Sequence, residues 1–490
     1  MFIRHNIKNF IFDFRRVLLP FQITAAISFI LLHFSCKNPR FENPCDPNSK
    51  TYQNTLFSKA FTGDSSAYCS LLGSKPNSIT YSPTPYLFRQ NSVITSVTPT
   101  ITGGTPTSCT SSPTLPTGLV LSSNCVLSGT PTTGTAMTTY TITGSNSGGS
   151  ATGSVTIQTL FSVPKYLYVT NGGATTISVF TVNSTDGSLS NTSTPVSGSG
   201  PTGLTIDPTG KFLYVVYPST STISLHTINQ TDGSLNSATS TLSTGTGPQS
   251  VAIHPTGKFV YSVDQSSTIY QYTADLSTGA LTSSGSFPTG LDGAWIKIDP
   301  YGKFLFVACQ SPTSSIYSYS INPTSGALSL INSYNTGNNS RAIEISPDSK
   351  FLYSASAAPQ QIDYSSIGST GALSYIASAS VTGTSSQSVA MDPLGRFVYL
   401  GYNGSGTGTI AGYTINSTTG VLTSGGTVTT SGDLPTGLII DPSGKFLYSI
   451  NSVTNTFYVS AIDQSTGVPT VSSSGATGTT PSGIAITGAN

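Results

Sequence analysis

The stretch "DPTGKFLYVVY" (residues 207–217) returns five times with small changes: "HPTGKFVYSVD" (254–264), "DPYGKFLFVAC" (299–309), "SPDSKFLYSAS" (346–356), "DPLGRFVYLGY" (392–402) and "DPSGKFLYSIN" (441–451). Successive copies start 45–49 residues apart. A period of that length marks a stack or ring of like supersecondary units. In most copies Pro sets φ for a turn and Gly closes it. A run of aromatic and β-branched residues then reads as a strand. Aligning on the basic residue before the aromatic gives seven units, at Lys165, Lys211, Lys258, Lys303, Lys350, Arg396 and Lys445. A second marker recurs once per unit, at Gly187, Gly233, Gly279, Gly326, Gly371, Gly420 and Gly467. These are hairpin turns, where glycine supplies φ > 0.

Each unit therefore reads as four strands. Strand a is "GLTI" in the second unit, strand b is "FLYVVY", strand c is "TISLHTIN", and a weaker strand d follows the glycine turn. Strands a and b are apolar on both faces, as expected where a sheet lies between two neighbours. Four strands per unit and seven units predict a seven-bladed β-propeller, so the fold class is all-β. The first unit opens on strand b, "KYLYVTN" (165–171), and the chain ends on an unmatched strand a, "PSGIAIT" (481–487). The last strand is expected to complete the first blade and remove the open edge. The repeated phrase is thus the inner hairpin of a blade, a structural device.

"YLYVTNGG" (166–173), "DPTGKFLYV" and "TDGSL" (231–235) resemble the lactonase-type seven-bladed propellers and the related YVTN repeat proteins. The resemblance spans residues 160–490. It implies the propeller fold, and a family that includes 6-phosphogluconolactonase, a muconate-lactonising enzyme and many exported proteins. It leaves function open, because function lives in a site grafted on the fold.

Composition narrows the partners. The chain is 8% charged with net charge +1, against about 25% charged residues in an average soluble protein. Gly, Ser, Thr, Asn and Pro supply the polar surface instead. No clustered basic face for nucleic acid is expected.

The N-terminus reads as an export signal over residues 1–35. Arg4, Lys8, Arg15 and Arg16 form a basic head, with Asp13 among them, and an apolar run covers 17–34. "LLHFSC" (31–36) resembles a bacterial lipobox, closest to the relaxed lipoboxes of spirochaetes, which implies lipid on Cys36 and a membrane partner through that anchor. A plain cleaved signal or an uncleaved anchor helix is the alternative. The expected place is the cell envelope, as an outer-membrane or periplasm-facing lipoprotein. Residues 36–76 read as a tether rich in Pro, Asn and Ser. In an oxidising compartment Cys45 with Cys69, and Cys109 with Cys125, are expected as disulfides. Cys309, within the apolar "FLFVAC", reads as a buried free thiol. No metal or cofactor is implied, because paired histidines and CxxC are lacking.

Residues 77–159 alternate short strands with Pro-Thr-Gly and Ser-Gly-Gly turns, predicting a small sandwich. "LPTGL", "LSGTPT" and "YTITGSNSGG" within residues 115–149 resemble the immunoglobulin-like repeats of bacterial surface proteins, which implies a spacer or adhesive module.

Chemistry is sought where the units differ. Outside the repeated turns, the propeller's basic residues are Lys297 and Arg341, and its single Glu is Glu344. All three fall on strand a of units four and five. Five positions before the turn residue stand Thr202, Gln249, Ala294, Arg341, Gln387, Thr436 and Ser482, a mostly polar ring at the channel mouth. Two positions before it stand Thr205, Ala252, Lys297, Glu344, Ala390, Ile439 and Ala485. The fourth position before it is small except at Trp295, and Asp292 lies just upstream. Read as a ligand pocket, Arg341 grips a carboxylate or phosphate as a planar fork. Trp295 stacks on a ring, and Asp292, Gln249 and Gln387 supply hydrogen bonds. Read structurally, Lys297–Glu344 is a cross-blade ion pair and Trp295 plugs the channel.

Lactone opening needs a base and a group to hold the oxyanion. Downstream of Cys36 the chain has two histidines, His226 on strand c and His254 in a turn, both away from the predicted mouth. A mouth histidine and several arginines, which the resemblance implies for active members, have no counterpart here except Arg341. The leading expectation is therefore a binding module for a carbohydrate, matrix or protein partner. The alternative is a lactonase acting on a sugar-acid lactone through Arg341, Glu344 and Lys297.

Overall fold

A computed structural model describes residues 74–489 apart from 196, 239, 291, 311–314, 337–338, 405 and 431–433. Cys36, Cys45 and Cys69, the signal segment 1–35 and nearly all of the 36–76 tether lie outside the described residues. Pro76, read as the end of the tether, opens the first strand, Pro76–Thr80.

Seven four-stranded antiparallel sheets follow one another along the chain from Pro164. The innermost strands of blades 2 to 7 are Leu204–Ile206, Pro248–Ile253, Gly293–Ile298, Ser340–Ile345, Thr384–Met391 and Pro435–Ile440. Blade 1 takes its innermost strand from the chain end. Pro481–Gly488 pairs with Pro164–Asn171, with Ile484 opposite Val169 and Ile486 opposite Leu167. Strand b is buried along nearly its whole length in every blade. Strand d, expected to be weak, is eight or nine residues long in blades 3 to 7 and short only in blades 1 and 2.

The two sequence markers meet across blades. Gly279 has φ 74°, and a Cβ built there would stand 2.6 Å from the ring of Phe212 in the preceding blade. The same contact runs round the ring: Tyr166 covers Gly233, Phe259 covers Gly326, Phe304 covers Gly371, Phe351 covers Gly420, Phe397 covers Gly467 and Phe446 covers Gly187. Two residues after each aromatic, a tyrosine hydroxyl donates to the same glycine's carbonyl. Tyr214 reaches Gly279 at 2.8 Å and Tyr448 reaches Gly187 at 3.0 Å. Tyr168, Tyr261, Tyr353 and Tyr399 do likewise. Blade 4 has Phe306 at this position. The phrase is thus both an inner hairpin and an interblade clasp.

The turn itself is tied by its first residue. The Asp299 carboxylate accepts from the amides of Lys303 and Phe304, both at 2.6 Å. Asp207 and Asp441 repeat the pattern, and in blade 5 the Ser346 hydroxyl takes the same two amides.

The N-terminal part carries eight strands, including a four-stranded sheet in which Tyr86–Arg89 runs parallel to Gly149–Leu160. Its core gathers Ile79, Tyr81, Leu127, Tyr140, Ile142 and Ile157. Cys109 and Cys125 form a disulfide, and Cys309 is a buried free thiol. Burial pushes that thiol up to about 12, which keeps it protonated and unreactive.

The sandwich sits directly on the propeller. Gln90 donates to the carbonyls of Thr132 and Ala489, both at 2.9 Å. The Met137 amide donates to the Pro255 carbonyl at 2.9 Å. Arg89 donates to the Pro442 carbonyl, beside the Asp392 and Asp441 carboxylates. A chamber of about 150 Å³ at this junction is walled by Leu160 and Phe161 on one side and Pro208, Pro442 and Ile486 on the other. The spacer implied by the resemblance is therefore docked on the turn end of the propeller.

Candidate functional site

At the opposite end of the innermost strands, the axial channel opens into a cavity of about 540 Å³. The ring predicted five positions before each turn lines it in full, from Thr202 through Gln249, Ala294, Arg341, Gln387 and Thr436 to Ser482. The local cause is a bulge. In blades 3 to 7 and in blade 1, the ladder between strands a and b shifts register at or next to this residue. An unpaired bulge residue is re-aimed out of the strand's normal alternation. It turns the ring side chains toward the axis.

Several ring members are spent on holding neighbouring blades. Ser482 donates to the Pro201 carbonyl at 2.9 Å, and Thr436 donates to the Pro481 carbonyl at 3.2 Å. Arg341 Nη1 donates to Gln387 Oε1 at 2.8 Å, across blades 5 and 6. Gln249 donates to its own loop, at the Gly247 carbonyl.

Lys297 lines the cavity and pairs with Glu344, Nζ to Oε1 2.7 Å, with 35% and 21% of the two side chains exposed. Trp295 also lines the cavity. Its ring packs on clusters that contain Phe306 and Ile343 on one side and Ala342 and Val389 on the other. It is thus half wall and half interblade wedge. Asp292 is not on the cavity wall. It holds a left-handed turn, φ 55°, and its carbonyl accepts from the Gln310 amide at 3.0 Å. Leu204, Ile253, Ile298 and Ile484 provide apolar wall, and Gln310 and Ser452 provide further polar wall. These last two were missed because they stand at strand ends, where the repeat alignment gives no cue. The bulge is the signal that would have found the ring: a fixed offset before a fixed turn.

Neither histidine belongs to the site. His254 is 4% exposed. Its Nε2 donates to the Gly302 carbonyl at 2.9 Å, so Nδ1 accepts from the Thr256 hydroxyl at 2.8 Å. His226 lies between the Tyr217 hydroxyl and the Asn236 carbonyl. Burial pushes both below the ordinary 6.5. The folded state therefore resists protonation, while the unfolded chain takes up protons below 6.5. Stability stays level above that pH and falls as pH drops through it. Melting temperature should hold from pH 8 to 7 and decline between pH 6.5 and 5. His254→Asn, which keeps a turn acceptor, should remove part of the decline. A flat profile to pH 5 would contradict the assignment.

A seven-bladed propeller with one polar axial mouth defines the class. The family model "Lactonase, 7-bladed beta-propeller" matches residues 132–253, 208–290, 260–386 and 372–486, and the chain belongs to that family. A "Putative Ig domain" model matches residues 42–160. Among solved structures, a putative 6-phosphogluconolactonase from Bacteroides uniformis is similar at 20% identity and TM-score 0.60, covering 66% of this chain and 99% of its own. One from Bacteroides fragilis is 22% identical at TM-score 0.60, covering 66% and 98%. A periplasmic gluconolactonase from Pseudomonas aeruginosa is 17% identical at TM-score 0.58, covering 66% and 98%. No curated protein matched the sequence.

Proposed function

We propose that the axial cavity binds a sugar-acid lactone and opens it by hydrolysis. The family favours this reading over partner binding, which had led on sequence grounds. One observation carries it: Lys297 and Arg341, the propeller's basic residues outside the repeated turns, both line the cavity, and Glu344, itself outside the lining residues, is paired to Lys297.

The roles follow from the chemistry. Glu344 takes a proton from water as it attacks the lactone carbonyl carbon. The developing oxyanion is held by a cation on the wall. The carbon–oxygen bond of the ring breaks, and the alkoxide leaves with the proton returned through the Glu344–Lys297 pair. The product is the open hydroxy acid, with atoms and charge balanced. The polar ring, with Gln249 and Thr202, meets the hydroxyls of the sugar chain.

A second reading, ligand capture without turnover, draws on the same pair. A glutamate already held by lysine at 2.7 Å is a poorer base than a free one. Lactone panels, including δ-gluconolactone, separate the readings when followed by proton release on the purified chain. Hydrolysis that falls about 100-fold in Arg341→Ala supports the enzyme, on the scale of removing one oxyanion donor. Rates equal to the buffer blank across the panel would leave capture as the function.

A further inference from the structure

Three buried side-chain N–H groups have no hydrogen-bond partner among the described residues. One, Arg89 Nη1, belongs to the domain junction. The other two, Trp295 Nε1 and Arg341 Nε, stand on the innermost strands of neighbouring blades and belong to residues lining the same cavity. A buried donor left without an acceptor is costly, and a native fold that keeps one calls for a missing partner.

The chemistry of that partner is constrained. Indole and guanidinium nitrogens are donors only, so the partner is an acceptor. Arg341 already spends Nη1 on Gln387 at 2.8 Å, which fixes the plane of the guanidinium and leaves Nε uncommitted. A planar carboxylate matches a guanidinium edge in geometry and in charge. The sequence suggested that Trp295 offers its flat face to a sugar ring. Its packing between blades and its unpaired Nε1 give it a different part, as a second donor on a residue lining the same cavity as Arg341.

We infer that Trp295 Nε1 and Arg341 Nε together form a carboxylate-recognition corner, with Gln387 as the residue that positions the arginine. The corner therefore takes a planar carboxyl group, which the hydroxy acid released by lactone opening carries and the intact lactone lacks; within the hydrolysis reading it is the product's subsite. This rests on the reading of the cavity as a ligand site, and it does not require turnover.

Trp295 is the chain's single tryptophan, so its emission reports on this corner alone. Sodium gluconate, sodium glucuronate, sorbitol and inorganic phosphate are titrated into the purified chain, by emission and by calorimetry. At least one of the two carboxylates is expected to bind saturably. Sorbitol should not bind. Phosphate tests whether the corner takes a carboxylate or any oxyanion, because a guanidinium edge pairs with either; the corner as drawn requires it to bind more weakly. Arg341→Lys keeps the charge and loses Nε, and should weaken the carboxylate about 10-fold. Trp295→Phe keeps an aromatic ring and loses the donor, and should weaken it about 5-fold by calorimetry. Circular dichroism confirms that both variants fold. The corner is overturned if neither carboxylate binds, if sorbitol or phosphate binds equally well, or if both variants bind like the parent. Carboxylate binding without lactone turnover would sink the hydrolysis reading and leave the corner standing. Lactone turnover in the parent, with both variants binding the carboxylates as the parent does, would do the reverse.

Discussion

Ending the chain before Pro481 is expected to lower the melting temperature by at least about 10 °C or to leave the protein insoluble. The deleted strand is the innermost strand of blade 1. Its Ile484 and Ile486 pack on a cluster holding Leu167, Val169, Phe446, Tyr448 and Ile450, which joins blade 7 to blade 1. Burying each such side chain is worth roughly 1.5–3 kcal/mol. The Gly483 amide also donates to the Thr170 hydroxyl at 2.8 Å, and the Tyr166 amide donates to the Thr487 hydroxyl at 3.1 Å. The loss extends beyond the ring, because the Ala489 carbonyl is one of the two that Gln90 of the sandwich holds. Several kcal/mol is a large share of a total stability near 5–15 kcal/mol. It also bares a strand edge to intermolecular pairing. The experiment is a thermal melt with light scattering of the parent and of the truncated chain. A truncated chain that melts within about 2 °C of the parent and stays monomeric would show that closure contributes little.

How far the sequence carried the reading depended on how local each feature is. Seven turns and the displaced last strand are local patterns: Pro presets one dihedral, Gly accepts another, and alternation does the rest. They needed no knowledge of neighbours. The clasp was not legible, because it joins Phe212 of one unit to Gly279 of the next and no single unit contains it. One trace of it does lie in the sequence. Where blade 4 carries Phe306 in place of the usual tyrosine, the facing turn "GSTG" (368–371) is one residue shorter than "NPTSG" (322–326). The ring at the mouth was legible by counting back from the turn, since a bulge of fixed position keeps that count constant. Asp292 was misplaced because proximity in sequence to Trp295 says nothing about a left-handed turn that stands off the wall. The docked sandwich was missed because Arg89, Gln90 and Phe161 look like ordinary strand and linker residues until both surfaces exist.

Replacing Glu344 with Gln should separate the two roles open to the Lys297–Glu344 pair. As a structural tie the pair is weak. Both groups are partly exposed, and exposed ion pairs are worth about 0–1 kcal/mol after screening. Gln keeps the shape and can still accept a hydrogen bond from Lys297, so the melting temperature should move by no more than about 2 °C. As a proton acceptor the carboxylate has no substitute in Gln. General-base catalysis contributes about 10²–10⁴-fold, so kcat for lactone opening should fall by about that factor with KM nearly unchanged. Lys297→Met should also slow turnover, because it removes a cation from the wall and leaves the carboxylate without its partner. In the double variant the two losses should be less than multiplicative, as expected for groups that act as a unit. Steady-state kinetics and melts on the three variants decide between the roles. Full activity in Glu344→Gln with a large drop in melting temperature would mean that the pair only braces blades 4 and 5, and the base would have to be sought among the residues that line the cavity.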